Sequence, residues 1–272
     1  MEMTDAEALA ALTSYLDLAE NAVMLIVAVF VRIGAIVFML PGVGERMVSV
    51  RVKLMIAIAF ALATWPLLPE ATRTAGMALQ PTAGALAFAF MAEAICGIVI
   101  GFGIRVLIFA LQTAGTLASQ SLSINQMFGA GVAPDPEPTV ATLLTFGGIA
   151  LALNLGLHVK AVSLMAVSYQ ILPLGEFPLA SDVADWAAAR VAEAFGLAVS
   201  LALPFLVISF GYNLALGFIN RAMPQMMVSF VGLPAITWAG VLLLMIVSGA
   251  ILTVWHDQMN AALAAPWADR LR

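Results

Sequence analysis

The sequence has few of the residues on which most enzymes and metal sites depend. It contains one cysteine, Cys96, and two histidines, His158 and His256, in 272 residues. A single cysteine excludes an intramolecular disulfide and a cysteine metal cluster, and its apolar surroundings favour a small buried residue. The sequence contains no phosphate-binding loop, nucleophile elbow or histidine pair at ligand spacing. We therefore expect no enzyme activity, no metal and no cofactor.

Charged residues are also scarce. They make up 10% of the chain, and 63% of the residues are hydrophobic, whereas a soluble domain has about 25% charged residues. A soluble protein of this length needs a polar surface that this composition cannot supply. The composition predicts an integral membrane protein, or a chain that buries nearly all its surface in partners. The net charge of −5 argues against nucleic acid as a partner.

Long apolar stretches are present instead, near 19–40, 52–68, 83–110, 139–173, 190–219 and 229–255. Each is near or above the roughly 20 residues that an α-helix needs to cross a hydrocarbon core. They predict an all-α integral membrane protein of about six apolar helical segments, several of them broken or hairpin-like. We expect a single domain over 1–272, with an acidic N-terminal segment at 1–18, a polar insert at 120–139 and a C-terminal tail at 256–272.

Four residues spaced by four, Glu93, Gly97, Gly101 and Arg105, form a slanted stripe on one side of a predicted helix. The two glycines allow another helix to approach closely, and charges at these positions are costly against lipid. The stripe favours helix packing over a proton relay, because a relay needs a chain of carboxylates or histidines. Arg32, deep in another apolar stretch, requires a carboxylate, carbonyls or water, which Glu93 or a partner chain could supply.

The insert "QSLSINQMFGAGVAPDPEPT" has two halves of different character. The first is small and polar around Met127 and Phe128, with glycines beside them, and the second alternates three prolines that favour extended chain. The residues alone favour a solvated connector. A mobile plug is the other interpretation, because methionine adapts to irregular contacts and glycines supply hinges.

Several blocks in order resemble the FliR family, the membrane proteins of the flagellar type III export gate, with an injectisome relative called SctT. They are "RIGAIVFMLPGVGERMVSVRVKLMIAIAFALATWPLLP", "QTAGTLASQ" before the insert, "LHVKAVSLMAVSYQILPLG" and "NLALGFINRAMPQMMVSFVGLP". Together they cover roughly residues 20–255, and the "VGLP" at 231–234 is closer to flagellar members. Of the family's usual Asn-Gly-His before one apolar stretch, only His158 matches.

The resemblance implies a fold with a FliP-type part fused to a FliQ-type hairpin. It implies a gate subunit of the bacterial inner (cytoplasmic) membrane, multi-pass and in contact with lipid, at the flagellar basal body. The implied partners are FliP-like and FliQ-like subunits, FlhB-like and FlhA-like export proteins, the basal-body ring and the unfolded flagellar substrates that pass through the conduit.

The resemblance also assigns roles to particular residues. It places the insert in the central channel as a plug and makes the 220–232 junction a hairpin tip against partner chains. The plug residues would be Gln120, Gln126, Met127, Phe128, Gly129 and Gly131. Together with the stripe of four described above, the assembly and packing residues would be Arg32, Pro41, Arg51, Lys53, Glu93, Gly97, Gly101, Arg105, His158, Asn220, Arg221, Pro224 and Gln225.

Two other functions are compatible with parts of the sequence. The first is the injectisome gate subunit of the SctT type, which has the same architecture. The second is an autonomous proton-coupled transporter that uses Arg32, Glu93 and Arg105. A transporter of this kind is expected to have internal repeats around a binding site at the membrane midplane. No convincing inverted repeat is found in the sequence.

Overall fold

The computed structural model describes residues 5–45, 47–77, 82–122, 138–222 and 228–264. Within these ranges the chain consists of α-helices, one short 3₁₀ helix and turns, with no strand. The predicted all-α fold is confirmed. The α-helices are α1 Asp5–Met39, α2 Val50–Thr64, α3 Glu70–Met77, α4 Ala83–Ser121, α5 Thr139–Asn154, α6 Leu157–Ile171, α7 Ala180–Ala222 and α8 Val228–Ala264, and the 3₁₀ helix Trp65–Leu67 continues α2.

Five segments of these helices are long and apolar enough to cross a membrane. They are Ala19–Met39, Val50–Leu67, Ala83–Ser121, Ala180–Ala222 and Pro234–Ala264. Helices α5 and α6 pass the same test together and would form a sixth span, bent by 74° at their junction. This is the architecture of a multi-pass membrane protein, and it agrees with the prediction of about six segments, some of them broken.

The bend between α5 and α6 is built on Gly156. Its φ of +84° is in the left-handed region, where a side chain would be strained and glycine is not. The N–H of Leu155 still donates to the carbonyl of Leu151, and that of Gly156 to the carbonyl of Leu153. The last turn of α5 is therefore closed by its own backbone before the chain changes direction.

Two helices are longer than the apolar stretches that predicted them. Helix α4 continues past 110 to Ser121, where the hydroxyls of Thr116 and Ser121 donate to carbonyls of their own helix. Such bonds satisfy polar side chains without ending the helix. Helix α7 begins at Ala180 rather than near 190, with Asp182 in its first turn and Arg221 in its last. Both charges interact favourably with the helix dipole.

The two ends of the chain also differ from expectation. The acidic segment at 1–18 is not separate from the first span, because α1 already begins at Asp5. Similarly, α8 continues to Ala264, so 256–264 of the expected tail at 256–272 is the end of that helix. Hydropathy marks where a helix can enter lipid, and helices continue beyond that limit when their residues have good helix propensity.

The chain divides into two compact units, each made from separate parts of the sequence. The first contains residues 1–104, 157–187 and 263–272. Within it α1 packs on α2 and α3, and α2 packs on α6. Its core is apolar and lies largely along α1 and α4. Fully or almost fully buried side chains there include Leu25, Ile33, Ile36, Cys96, Ile100 and Met165.

The second unit contains residues 105–156 and 188–262. Its largest fully buried side chain is Trp255 of α8, whose indole N–H donates to the carbonyl of Leu107 over 2.8 Å. Gly148 of α5 makes room for this ring, because a β-carbon there would lie 3.2 Å from it. Other core side chains of this unit include Ile108, Leu111, Leu144, Phe205 and Met259.

Candidate functional site

An ion pair between Arg32 of α1 and Glu93 of α4 is buried in the first unit. Both side chains are completely buried. Nη2 of Arg32 donates to Oε1 of Glu93 over 2.8 Å, and Nε lies 2.7 Å from Oε2. The Nε contact is close enough for charge attraction, but its N–H does not point along a hydrogen bond. The pair is therefore a close, two-point ion pair held by one well-formed hydrogen bond.

The remaining donors of Arg32 are directed to the end of α6. Nη1 donates to the carbonyl of Leu172 over 2.8 Å and reaches Oγ of Ser168 at 3.5 Å. Nη2 also reaches the carbonyl of Pro173 at 3.4 Å. The last carbonyls of a helix have no partner within the helix. Arg32 therefore caps α6 while it pairs with Glu93.

Glu93 is held from two further directions. The N–H of Gly175 donates to Oε1 over 2.9 Å, and the hydroxyl of Tyr169 donates to Oε2 over 3.4 Å. The Tyr169 ring also lies face-on to Arg32, with 3.9 Å between the guanidinium carbon and the ring centroid. Gly175 has a φ of +78°, which positions its N–H in this turn. We name this set of residues, Arg32, Glu93, Ser168, Tyr169 and Gly175, the buried charge cluster.

The buried charge cluster joins α1, α4 and the turn after α6. Buried charges are costly unless they are paired and hydrogen-bonded, and here each charge has an opposite charge and further polar partners. The positive charge of Arg32 and the negative charge of Glu93 therefore neutralise each other inside the cluster. Among the described residues, Glu93 is the one carboxylate that bonds to Arg32, and no histidine contacts the cluster.

Gly97 and Gly101 extend this contact along α4. A β-carbon on Gly97 would collide with the carbonyl oxygen of Arg32 and with Ala35, and one on Gly101 would collide with Met39 and approach Ile36. The two glycines therefore let α1 and α4 approach with their backbones nearly touching. Glu93, Gly97 and Gly101 all contact α1, and Glu93 also contacts α6 and the turn that follows it.

Arg105, the fourth residue of the stripe, belongs to the second unit by its contacts. Its guanidinium lies 5.5 Å from the ring centroid of Phe109, one turn further along α4, and its side chain is half-buried. A contact of this kind is worth about 0.5–1 kcal/mol at partly exposed sites.

The turn between α1 and α2 contains three more of the predicted packing residues. Pro41 is buried in it, and Lys53 is buried beside it. Nζ of Lys53 donates to the carbonyl of Gly44 over 3.0 Å and lies 5.2 Å from the ring centroid of Phe38. Arg51 is exposed in the first turn of α2. The cationic side chains of the "RVK" triplet therefore differ: Lys53 holds the turn and Arg51 does not.

The predicted plug lies mostly outside the described residues. That is the position of Gln126, Met127, Phe128, Gly129 and Gly131. Gln120, by contrast, is exposed in the last turn of α4, and Thr139 begins α5. The expected boundaries of 120–139 were too wide at both ends, because α4 continues to Ser121 and α5 starts directly after Pro138.

The helical end before the predicted plug is held by two buried hydroxyls. Ser209 of α7 donates to the carbonyl of Ser121 over 2.7 Å, and Thr237 of α8 reaches the carbonyl of Leu122 at 3.5 Å. The side chain of Leu122 is fully buried against Gly240 of α8. Three elements of the second unit therefore meet where α4 ends.

The predicted hairpin tip at 220–232 is narrower than expected. Asn220 and Arg221 are exposed in the last turn of α7, and α8 begins at Val228, so 228–232 is helical. Pro224 and Gln225 lie outside the described residues. His158 is exposed in the first turn of α6 and is not part of a buried polar contact.

Sequence reasoning missed Ser168, Tyr169 and Gly175 as partners of the ion pair, and Ser209 and Thr237 as anchors. One signal was available for the first group. Pro173 ends the helix before it and frees carbonyls that a buried cation can bind. Hydroxyl residues inside apolar helices carry no comparable signal, because most of them bond to their own backbone.

Comparison with known proteins identifies the family of this chain. Residues 23–262 match the family of bacterial export proteins, family 1. The flagellar biosynthetic protein FliR of Caulobacter vibrioides is 33% identical over 238 residues, which cover 86% of this chain and 92% of that protein. FliR of Pectobacterium carotovorum is 30% identical over 222 residues (79% and 80%), and FliR of Escherichia coli K12 is 28% identical over 222 residues (78% and 80%). The buried charge cluster and the paired glycines therefore lie in a chain that belongs to the FliR family of bacterial export proteins.

Proposed function

We propose that this chain is a core subunit of the flagellar type III protein export gate. In this proposal it forms, with FliP-like and FliQ-like subunits, the gated conduit for unfolded flagellar substrates and is needed to assemble the flagellum. The observation that carries the proposal is the family match over 23–262, together with relatives that are named flagellar biosynthetic proteins. Those names favour the flagellar gate over the injectisome gate.

The distribution of apolar surface supports a subunit of a larger membrane assembly. In the apolar part of α4, 61% of the residues are buried. In the corresponding parts of α7 and α8, only 28% and 22% of the residues are buried. Large side chains such as Phe210 and Ile246 are exposed. Exposed apolar surface of this extent requires lipid or partner chains. The inner membrane at the basal body is the proposed location, with FlhB-like and FlhA-like proteins and the basal-body ring as further partners.

The charges support a structural role rather than transport or catalysis by this chain alone. The buried ion pair is satisfied inside its own unit, and Arg105 contacts an aromatic ring. A proton-coupled transporter requires ionisable groups that exchange protons along a pathway. We propose that the chain catalyses no reaction and that export is driven by energy supplied elsewhere in the apparatus.

Co-expression with neighbouring FliP-like and FliQ-like chains tests the assembly directly. The complex is recovered from mild detergent through an affinity tag on this chain, and its composition is read by native mass spectrometry. A mixed complex that contains one copy of this chain supports the proposal. A homogeneous monomer that recruits neither partner contradicts it, provided that both partners are present in the same membranes.

The plug assignment has its own experiment. Deletion of 124–138 in the co-expressed complex is expected to let ions cross the inner membrane, and growth in high potassium or a membrane-potential dye measures the leak. A variant with the same segment replaced by glycine and serine at equal length separates loss of the plug from shortening of the connection. Intact membranes in both variants would contradict the plug assignment and would leave the subunit assignment in place.

A further inference from the structure

An apolar groove of about 320 Å³ runs between α1 and α2 in the first unit. This volume is at the lower end of the range for small-molecule sites, about 300–1,000 Å³. Apolar side chains line it almost completely, among them Ile26, Val29, Phe30, Ile58, Ala61 and Trp65. All of these residues lie in the segments Ala19–Met39 and Val50–Leu67, which are long and apolar enough to span a membrane. The groove is therefore open at the depth of lipid chains.

A polar segment follows one end of the groove. Trp65 stands where the apolar span of α2 ends, a position at which tryptophan commonly meets the membrane surface. Helix α3 follows, and Nη2 of its Arg73 donates to the carbonyls of Trp65 and Pro66, both over 3.0 Å. Gly76 of the same helix lies against Leu25, the residue before Ile26. Arg73 is thus held beside Trp65, one of the residues that line the groove.

Arg73 keeps donors that these two bonds do not use. Its Nε is buried and has no hydrogen-bond partner within the described residues, and neither carbonyl bond uses Nη1. A guanidinium with unused donors suits phosphate, which accepts several hydrogen bonds in a fixed geometry. The site therefore combines an apolar slot with a cation at one end.

We propose that this groove binds one acyl chain of an anionic phospholipid, with its phosphate beside Arg73. The complementary molecule has a long apolar part and one anionic group, which a phospholipid of the surrounding bilayer provides. A partner helix could fill the slot only with an apolar face that also carries a carboxylate at the level of Arg73, whereas every anionic phospholipid has both parts. The proposal does not depend on the export-gate assignment, because it uses only the membrane spans and the geometry of the first unit.

Lipid retention tests the proposal on the full chain. The protein is reconstituted in vesicles of equal phosphatidylcholine and phosphatidylglycerol and extracted in mild detergent, and bound lipid is counted by native mass spectrometry. Wild type is expected to retain one lipid per chain. Phosphatidylglycerol is expected to be favoured about fivefold, the preference given by about 1 kcal/mol per basic residue near anionic lipid.

Matched variants separate the groove from general lipid adhesion. Ala61→Phe fills the groove and is expected to lose the retained lipid, whereas Ala63→Phe, on an exposed face of the same helix that does not line it, keeps the lipid. Ala61→Leu is a milder filling variant if the larger ring prevents folding. Arg73→Gln is expected to keep one lipid and lose the preference for phosphatidylglycerol.

Three results would overturn the binding of an acyl chain in the groove. The first is wild-type protein without retained lipid, and the second is equal retention by Ala61→Phe and Ala63→Phe. The third is a complex with FliP-like and FliQ-like chains that carries no lipid and that Ala61→Phe prevents from forming. That result would show that a partner helix occupies the groove. An unchanged headgroup preference in Arg73→Gln would refute the placement of the phosphate.

Discussion

Arg32 of α1 donates to Glu93 of α4 over 2.8 Å, and neither side chain is accessible to solvent. The two residues are 61 positions apart in the sequence, and their contact fixes two membrane-spanning helices against each other. Because Arg32 also binds the carbonyls of Leu172 and Pro173, the same contact positions the turn after α6. The pair therefore holds three parts of the first unit together, and substitutions of its residues test how much it stabilises that unit.

Glu93→Leu is expected to destabilise the protein by about 3–5 kcal/mol, because it leaves a buried cation without its counter-charge. Thermal unfolding of a fluorescent-protein fusion in detergent, followed by size-exclusion chromatography, measures the loss. The double variant Arg32→Met with Glu93→Leu removes both charges and is expected to recover much of the stability. If the double variant is as unstable as the sum of the single ones, charge pairing is not what holds the cluster.

Gly97→Ala is expected to cost about 1–3 kcal/mol, because the added methyl group meets the backbone of α1 at Arg32 and cannot be accommodated by a flexible side chain. Gly196→Ala in α7 is the control, since a β-carbon there meets nothing within 4 Å. It should be neutral or stabilising by up to about 1 kcal/mol through helix propensity. Equal effects of the two changes would show that α1 and α4 do not pack closely.

Lys53→Met is expected to destabilise the turn between α1 and α2 by about 1–3 kcal/mol, because the carbonyl of Gly44 loses a charged donor. Arg51→Met removes the same charge from an exposed position two residues away and should change stability little. Any effect on membrane orientation is the same for both variants. Limited proteolysis of the turn distinguishes them, and equal cleavage would argue against the Lys53 contact.

Trp255→Phe is expected to destabilise the second unit by about 1–3 kcal/mol, because it removes the bond to the carbonyl of Leu107 and opens space beside Gly148. Trp238→Phe, on an exposed face of the same helix, is the control and should have little effect. The same unfolding assay measures both variants. A stability loss that is equal for the two would show that the ring is not packed in the core.

The sequence predicts the helices of this protein better than its contacts. Apolar length predicts the spans, and the cost of a charge in lipid indicates that Arg32 requires a partner. The spacing of Glu93, Gly97 and Gly101 indicates one side of a helix, and in the structure all three contact α1. In contrast, nothing in the local pattern indicates that Tyr169 and Gly175 meet Glu93, because that contact depends on how the chain returns after α6 and on the left-handed backbone of one glycine.

The ends of the helices are also difficult to predict from the sequence. Hydropathy fails to place the end of α4, because Thr116 and Ser121 are polar and yet fit a helix when their hydroxyls donate to carbonyls of the same helix. The contacts of Ser209 and Thr237 cannot be predicted from the sequence for a similar reason. Each is a single hydroxyl residue in an apolar helix, and only the folded second unit shows which carbonyl it faces.

The central claim, that the chain serves flagellar protein export, is tested most directly by deleting its gene and measuring hook and filament proteins in the culture medium. We predict that export stops while the same proteins continue to be made in the cell, and that a plasmid copy of the wild-type chain restores it. The Glu93→Leu variant should restore export poorly, and Gly196→Ala should restore it fully. Unchanged export in the deletion strain would contradict the account.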